Sequence, residues 1–294
     1  MRFGYATYHE KKLRFVDIPG TYSLLSHSEE EEIARDYICF SRPDVTVVIV
    51  DATCLERSLN LVYQTMEITQ NLIVCVNLLD EAKKKGISID LDRLSVLLGV
   101  PVVGTIARKK KTITHLLEAI AFACENTNAC NPHPVSYAPF LESCIHTLEK
   151  PIQEHLAPSS FYLTRWIALK LLDGDVLLTQ RIQEELLAGA DFEDYLFSSY
   201  LTLCDSLLEE QGLSRSNLKD FISESIVAQS EKVCQEVLSQ GKESPSLERK
   251  VDRILTSKQF GIPIMLLFLG LIFWLTIVGA NYPSHLLSVL FEHL

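Results

Sequence analysis

From Phe260 to Ala280 the chain runs for 21 residues without a charged side chain. At about 1.5 Å of rise per residue, roughly 20 such residues in a helix cross a hydrocarbon core about 30 Å thick. A core helix of that length, apolar on every face, is rare in a chain of 294 residues. The expectation is therefore one transmembrane helix, with a lipid bilayer as a partner. Arg249, Lys250, Arg253 and Lys258 stand just before the stretch. Basic flanks stay on the cytoplasmic side, which puts everything before residue 258 in the cytoplasm and the anchor in the cytoplasmic membrane. Trp274 reads as an interfacial anchor or a packing residue. Pro283 to Leu294 reads as the start of a continuation beyond the bilayer.

At 294 residues the chain is long enough for about two domains of ordinary size. A formal charge of -11 and a pI near 5.2 argue against nucleic acid as a partner, because neutralising phosphates takes clustered Lys and Arg. The basic runs Lys83 to Lys85 and Arg108 to Lys111 are short and suit a solvated loop or helix end. Eight cysteines show no C-x-x-C pair and no His at metal-ligand spacing, so neither a zinc site nor a redox motif is supported. Most read as small core hydrophobes in a reducing cytosol, Cys75 inside the apolar run Leu72 to Val76 being the clearest. The N-terminus has no apolar stretch of signal-peptide length.

Phe3 to Tyr8 and Leu13 to Asp17, split by the polar turn His9 to Lys12, read as an antiparallel hairpin. Val45 to Asp51, Leu72 to Asn77 and Pro101 to Thr105 are continuous apolar runs, suited to a parallel sheet covered on both faces. Between them Glu29 to Phe40, Leu55 to Gln70, Asp90 to Leu98 and Thr112 to Cys124 space apolar residues by three and four, as helices do. The sum is a doubly wound α/β domain over residues 1–125. Asn126 to Pro134 shifts to Asn, Pro and His and marks a boundary. Beyond it strand signals vanish. Tyr137 to His155, Phe161 to Leu172, Val176 to Leu187, Phe192 to Glu210 and Leu218 to Ser239 predict an α-helical domain within residues 126–255, and residues 256–294 carry the membrane segment.

Three short motifs carry chemistry. Asp17-Ile18-Pro19-Gly20 ends a strand and opens a polar loop, the D-x-x-G arrangement of GTP-binding domains. There Asp17 would reach Mg²⁺ through water, while Pro19 and Gly20 would bring a backbone N–H close to a γ-phosphate. Taken alone, D-x-x-G is more often a plain turn. Asn77-Leu78-Leu79-Asp80 resembles the guanine-reading N-K-x-D motif with Leu78 in place of Lys. Asn77 can bond the base edge, and the Asp80 carboxylate can accept from the ring N–H and exocyclic amine of guanine, where adenine would leave it unpaired. Taken alone, this pair could equally cap a helix. Thr105-Ile106-Ala107-Arg108 sits where a loop backbone N–H, here that of Ala107, touches the base oxygen, with Ile106 in place of the usual Ser. Three motifs in this order, each just after a predicted strand, point to a GTPase-like domain.

The chain resembles the ferrous iron transport protein B family in V-D-I-P-G-T-Y-S-L at Val16 to Leu24, E-E-I-A-R-D-Y at Glu31 to Tyr37, and P-D-V-T-V-V-I-V-D-A-T at Pro43 to Thr53. The likeness continues in L-E-R-S-L at Leu55 to Leu59, V-N-L-L-D-E-A at Val76 to Ala82, L-L-G-V-P-V-V-G-T at Leu97 to Thr105, and R-W-I-A-L-K-L-L-D-G-D at Arg165 to Asp175. It implies a cytoplasmic Ras-like G domain, a helical domain that modulates nucleotide release, and the first helix of a ferrous iron permease. GTP or GDP with Mg²⁺ are the implied cofactors, and remaining transporter segments or further copies of the chain the implied partners.

No G-x-x-x-x-G-K-[ST] phosphate loop occurs in the 294 residues; Gly99 and Gly104 have the spacing, but Thr105 follows where Lys should stand. Backbone N–H groups and a Lys of such a loop hold the phosphates. After Gly20, Thr21 is too short to orient water as a Gln would. The family hydrolyses GTP, whereas nothing here supplies that chemistry, so no catalytic residue is assigned and nucleotide binding is expected to be weak or absent. The expectation is a Ras-like sheet lacking its first strand, in a piece cut at both ends. That strand would lie between the one ending at Asp17 and the one from Val45 to Val50, leaving two unpaired edges open to strand addition. The rival reading is a membrane-tethered interaction module that no longer binds nucleotide and complements another transporter chain.

Overall fold

The structure, a computed structural model, describes residues 1–9, 11–25, 28–126, 130–157, 160, 163–187, 195–240 and 261–276. Met1–Gly241 and Lys242–Leu294 form two compact units.

The first unit opens with β1 (Arg2–Tyr8) and β2 (Lys11–Asp17), paired antiparallel with Arg2 opposite Asp17 and Tyr8 opposite Lys11. Helix α1 (Glu29–Phe40) starts where the Ser28 side chain accepts from the Glu31 amide, and its first turn holds four glutamates that suit the positive end of the helix dipole. Then follow β3 (Thr46–Asp51), α2 (Leu55–Ile68), β4 (Leu72–Asn77), α3 (Leu79–Lys84), β5 (Ile87–Ile89), α4 (Leu91–Leu98), β6 (Val102–Gly104) and α5 (Lys110–Glu125). Helix α4 is bounded by the Asp90 carboxylate accepting from the Arg93 amide and by Gly99 at φ 69°. A side chain at Gly99 would be strained by that φ and would stand 2.0 Å from the Asn131 carbonyl oxygen, so only glycine fits there.

Strands β3, β4 and β6 form one parallel sheet in that order, with Val48 opposite Val74 and Val74 opposite Val102. Leu72 to Val76 of β4 are buried on both faces, which is why the run carries no polar alternation. Among the described strands, β2 is bonded only to β1 and β3 only to β4. Between them lies a cavity of about 460 Å³ walled by Leu13, Phe15, Val45, Val47 and Ile120. Ile49, in the middle of β3, is 67 % exposed beside it. Among the described strands the facing edges of β2 and β3 are thus unpaired, with a slot between them whose lining also includes Lys12, Arg14, Arg42 and Asp44.

The helices α6 (Pro139–Gln153), α7 (Thr164–Asp173), α8 (Val176–Glu185), α9 (Tyr195–Glu210) and α10 (Arg215–Val237) follow, with α6 packed on α7 and α9. Helix α10 also packs on α2, so the helical layer and the sheet layer share one core. The expectation that strands end at Asn126 is corrected here. Leu238–Gln240 forms β7, antiparallel to β5, with Ile89 opposite Leu238. A three-residue strand has no period to read, and its partner lies far away along the chain. Helix α3 is likewise too short to show a helical period.

A partly buried ionic group centred on the buried Glu67 ties α2 to the helical layer. Arg165 on α7 sets Nε 3.2 Å from Glu67 Oε2 on α2 and Nη1 2.7 Å from Glu142 Oε2 on α6. Its Nη2 donates to Glu142 Oε1 and to the Val135 carbonyl, and the Tyr137 hydroxyl donates to Glu67 Oε1 at 3.4 Å. Burial raises Glu67 to a pKa of about 7 despite the opposing pull of Arg165. Five of the eight cysteines, Cys39, Cys75, Cys144, Cys204 and Cys234, are buried and all eight are free thiols, matching their reading as core residues.

In the second unit the described helix is α11 (Gly261–Trp274). The expected span Phe260 to Ala280 falls partly outside the described residues, at 260 and 277–280, as do Arg249, Lys250, Arg253, Lys258 and the stretch Pro283 to Leu294. Among the described residues no helix is long and apolar enough to cross a membrane. Within α11 the apolar side chains are exposed on all sides, Leu267 at 67 %, Leu271 at 47 % and Trp274 at 60 %.

Candidate functional site

Parallel strands deliver their carboxyl ends to one edge, and the loops leaving that edge are where such sheets place ligand sites. Here Asp51, Asn77 and Gly104 end β3, β4 and β6, and Asp51 stands opposite Asn77. The Asp51 side chain accepts from the Thr53 amide at 2.7 Å and so turns the chain into α2. Burial acts to raise its pKa, but bonds from Thr53 and Cys54 outweigh it and hold the carboxyl below the usual value.

Asn77 is the centre of the edge. Its Oδ1 accepts from the Ala107 amide and the Thr105 hydroxyl, each at 3.2 Å. Thr105 is buried, its amide donating to the Val76 carbonyl at 2.7 Å, so the loop after β6 is clamped to the end of β4. The clamp is closed further along by Lys109, whose amide donates to the Ile106 carbonyl, and by Thr112, whose hydroxyl accepts from the Ile106 amide. At Gly104 a Cβ would stand 2.6 Å from Leu79 Cδ1 and Leu91 Cδ1, so those side chains would have to shift to admit one.

Leu78 occupies the left-handed region at φ 62° and is 39 % exposed. That single turn of backbone directs Asp80, in the first turn of α3, to the same edge. Asp80 Oδ2 is 2.5 Å from Arg108 Nη2, and Glu81 Oε1 is 3.8 Å from the same nitrogen. The hydrogen bond from Arg108 is the main cause that holds the Asp80 carboxyl below its ordinary pKa. Asn77, Thr105 and Ala107 thus form one hydrogen-bonded group, while Asp80 is bonded separately to Arg108, the residue that follows Ala107.

Asp17, Pro19 and Gly20 stand apart from that group, at the end of β2 on the far side of the slot. Asp17 and Gly20 are exposed, and nothing lies within 4 Å of where a Gly20 side chain would be. The loop after them is fastened to α2: Gln64 Oε1 accepts from the Leu24 amide at 2.5 Å and from the Ser23 hydroxyl at 3.1 Å. Among the described residues no group of three or more His, Cys, Asp or Glu could hold a metal ion.

Sequence pattern gives no sign of Gln64, Glu67 or Arg165, which look like ordinary polar positions of helices until their partners are known. Thr112 is different, since a Thr close to a helix start is a readable cap signal. Arg108 sits in a basic run that suggests solvent, and its contact with Asp80 is a tertiary fact.

The family model for ferrous iron transport protein B matches residues 1–120, and that for the FeoB cytosolic helical domain matches residues 137–239. The Fe(2+) transporter FeoB of Salmonella typhimurium is 32% identical over 275 residues, 91% of this chain and 33% of that protein. The Fe(2+) transport protein A/Fe(2+) transporter FeoB fusion protein of Porphyromonas gingivalis is 30% identical over 284 residues, 92% of this chain and 32% of that protein. The chain spans about a third of the length of these curated relatives. Among solved structures, the cytosolic domain of T. maritima FeoB in a GDP form matches with a TM-score of 0.62 and 26% identity, over 81% of this chain and 84% of that one. The mGMPPNP-bound NFeoB from S. thermophilus matches with a TM-score of 0.63 and 26% identity, over 82% and 86%. The fold is that of a Ras-like GTPase domain followed by a helical domain.

Proposed function

The chain belongs to the ferrous iron transport protein B family, and from that premise we propose that it supplies the guanine-reading and regulatory part of a GTP-dependent ferrous iron transporter of the cytoplasmic membrane. In this reading residues 1–125 are a partial GTP-binding domain, 126–255 a helical domain that modulates nucleotide dissociation, and 256–294 the first membrane helix and the start of the permease. The observation that carries it is the polar group at the carboxyl edge of β4 and β6. The Asp80 carboxylate offers acceptors for the N1–H and N2–H of guanine, and the Asn77 side chain, three residues earlier at the end of β4, is braced by Thr105 and Ala107. Relatives bearing GDP and GMPPNP supply the ligand class. Asp17, Pro19 and Gly20 would face the Mg²⁺ and γ-phosphate end.

Neutral nucleosides isolate the base site, because they need no phosphate cradle. In saturation-transfer NMR on the 294-residue chain in detergent, guanosine is expected to give a signal several times that of adenosine. Asp80→Asn turns one acceptor oxygen into a donor amide and is expected to erase that preference. A preference that survives the substitution would remove Asp80 from the site.

The membrane assignment rests on α11, whose side chains are apolar and exposed all round; water is a poor neighbour for such a helix and lipid a good one. The chain is expected to float with lipid vesicles through a density gradient, resisting alkaline carbonate. Leu267→Arg together with Leu271→Arg should release it. Retention of the double variant would point to attachment elsewhere.

A further inference from the structure

Arg108 lies beside the carboxylate that the proposed guanine site depends on. The loop turn closed by Lys109 and Thr112 fixes the backbone of Ala107 against Asn77, and the next residue, Arg108, then extends across to Asp80 and Glu81. A guanidinium presents N–H groups in one plane, as guanine does along its N1–C2–N2 edge. Both seek the same acceptor. With its side chain 75 % exposed, Arg108 has free room to swing into solvent, while Asp80 at 22 % is held on α3.

We infer that Arg108 is an internal competitor for the base site: its guanidinium occupies the Asp80 carboxylate when no nucleotide is present and must leave before guanine can bind. The inference rests on the reading of Asp80 as the guanine acceptor and adds a regulating residue to it. The depressed pKa of Asp80 is the electrostatic trace of the contact. An opposite role is chemically available, since Leu78 removes the Lys that ordinarily lays its stem along the base, and Arg108 could replace it. The two roles differ in sign. The position of Arg108 on the acceptor itself, instead of above the base plane, favours competition.

The test uses guanosine and adenosine, whose neutrality removes any attraction between Arg108 and phosphate. Arg108→Ala, at an exposed loop position, leaves the fold alone. At subsaturating ligand the guanosine saturation-transfer signal should rise about three- to fivefold, the range that a mostly solvent-exposed ion pair can supply, with adenosine unchanged. Arg108→Lys keeps the charge, loses the planar fork, and should fall between parent and Ala. A guanosine signal that stays level or drops in Arg108→Ala, with its preference over adenosine still abolished by Asp80→Asn, overturns the competitor while leaving the base site standing. A guanine preference that is missing from both parent and Arg108→Ala, or that survives Asp80→Asn in the Arg108→Ala background, overturns the site and the competitor together.

Discussion

In an isothermal titration, a polypeptide of residues 1–294 is expected to bind neither GTP nor GDP in the micromolar range. The base edge offers Asp80, Asn77 and the Ala107 region, and Arg108 already contests one of them. The phosphate end offers far less. No Gly-rich loop with a Lys occurs in these residues, and Gly20 opens onto empty space at the end of β2. Each charge-assisted hydrogen bond to phosphate contributes about 1.5–3 kcal/mol, so a cradle of three or four provides roughly 5–12 kcal/mol, about three to nine powers of ten in affinity. That is the gap between a micromolar or tighter site and a base contact too weak for calorimetry. Mg²⁺ should make no difference, because its route into the site runs through the phosphates. A micromolar Kd for either nucleotide would show that phosphate is held by groups other than a Gly-rich loop, and would overturn the reading.

Arg165→Ala is expected to destabilise the first unit by about 3 kcal/mol at pH 8, read from urea unfolding in detergent. Removing one partner of a buried ionic group leaves the other charge uncompensated, typically at a cost of about 3–5 kcal/mol. The low end applies because the Arg165 side chain keeps 21 % exposure. Glu67 is 6 % exposed and loses its cation outright, and Glu142 loses two bonds with it. The pH dependence gives the prediction its signature. Burial raises the folded pKa of Glu67 to about 7 from an ordinary 4.5. The folded state therefore holds this proton more tightly than the unfolded chain, and its stabilising contribution, full below about pH 4.5, is lost as pH climbs through 7. Without Arg165 the folded pKa rises further. The variant should thus lose more stability at pH 8 than at pH 5.5, where Glu67 is protonated and needs no cation. A loss below about 1 kcal/mol, or one equal at both pH values, would mean that the ionic group is not what joins α2 to α7.

What could be read from the sequence follows from the range of each interaction. Strands β3 and β4 are visible because burial on both faces writes a continuous apolar run, and α1, α2 and α4 because apolar spacing and caps such as Ser28 and Asp90 are local. The pairing of β5 with β7 is invisible for the converse reason: Ile89 meets Leu238 only once the helical layer has folded back. The site divides in the same way. Asn77, Asp80, Thr105 and Ala107 stand out because each follows a strand at a fixed offset, and the fold bonds Asn77 to Thr105 and Ala107 while Asp80 is bonded to Arg108. Asp17 and Gly20 carry an equally local pattern, yet their setting across the slot depends on tertiary placement. Arg108 and Gln64 hide because a single polar residue carries no pattern, and only the partner reveals what it does.

The slot between β2 and β3 has a consequence for how the backbone meets water. Successive N–H groups of a strand point to alternate sides, so a strand bonded on one side alone shelters every second amide. In β4, flanked by β3 and β6, the shelter is two-sided where all three strands overlap. In β2 and β3 every other amide points away from the bonded neighbour, though that of Asp51 donates to the Ser58 hydroxyl. These two strands are thus bonded to a partner strand along one side only, and the hairpin β1–β2 can loosen as a local opening while β3–β4–β6 stays intact.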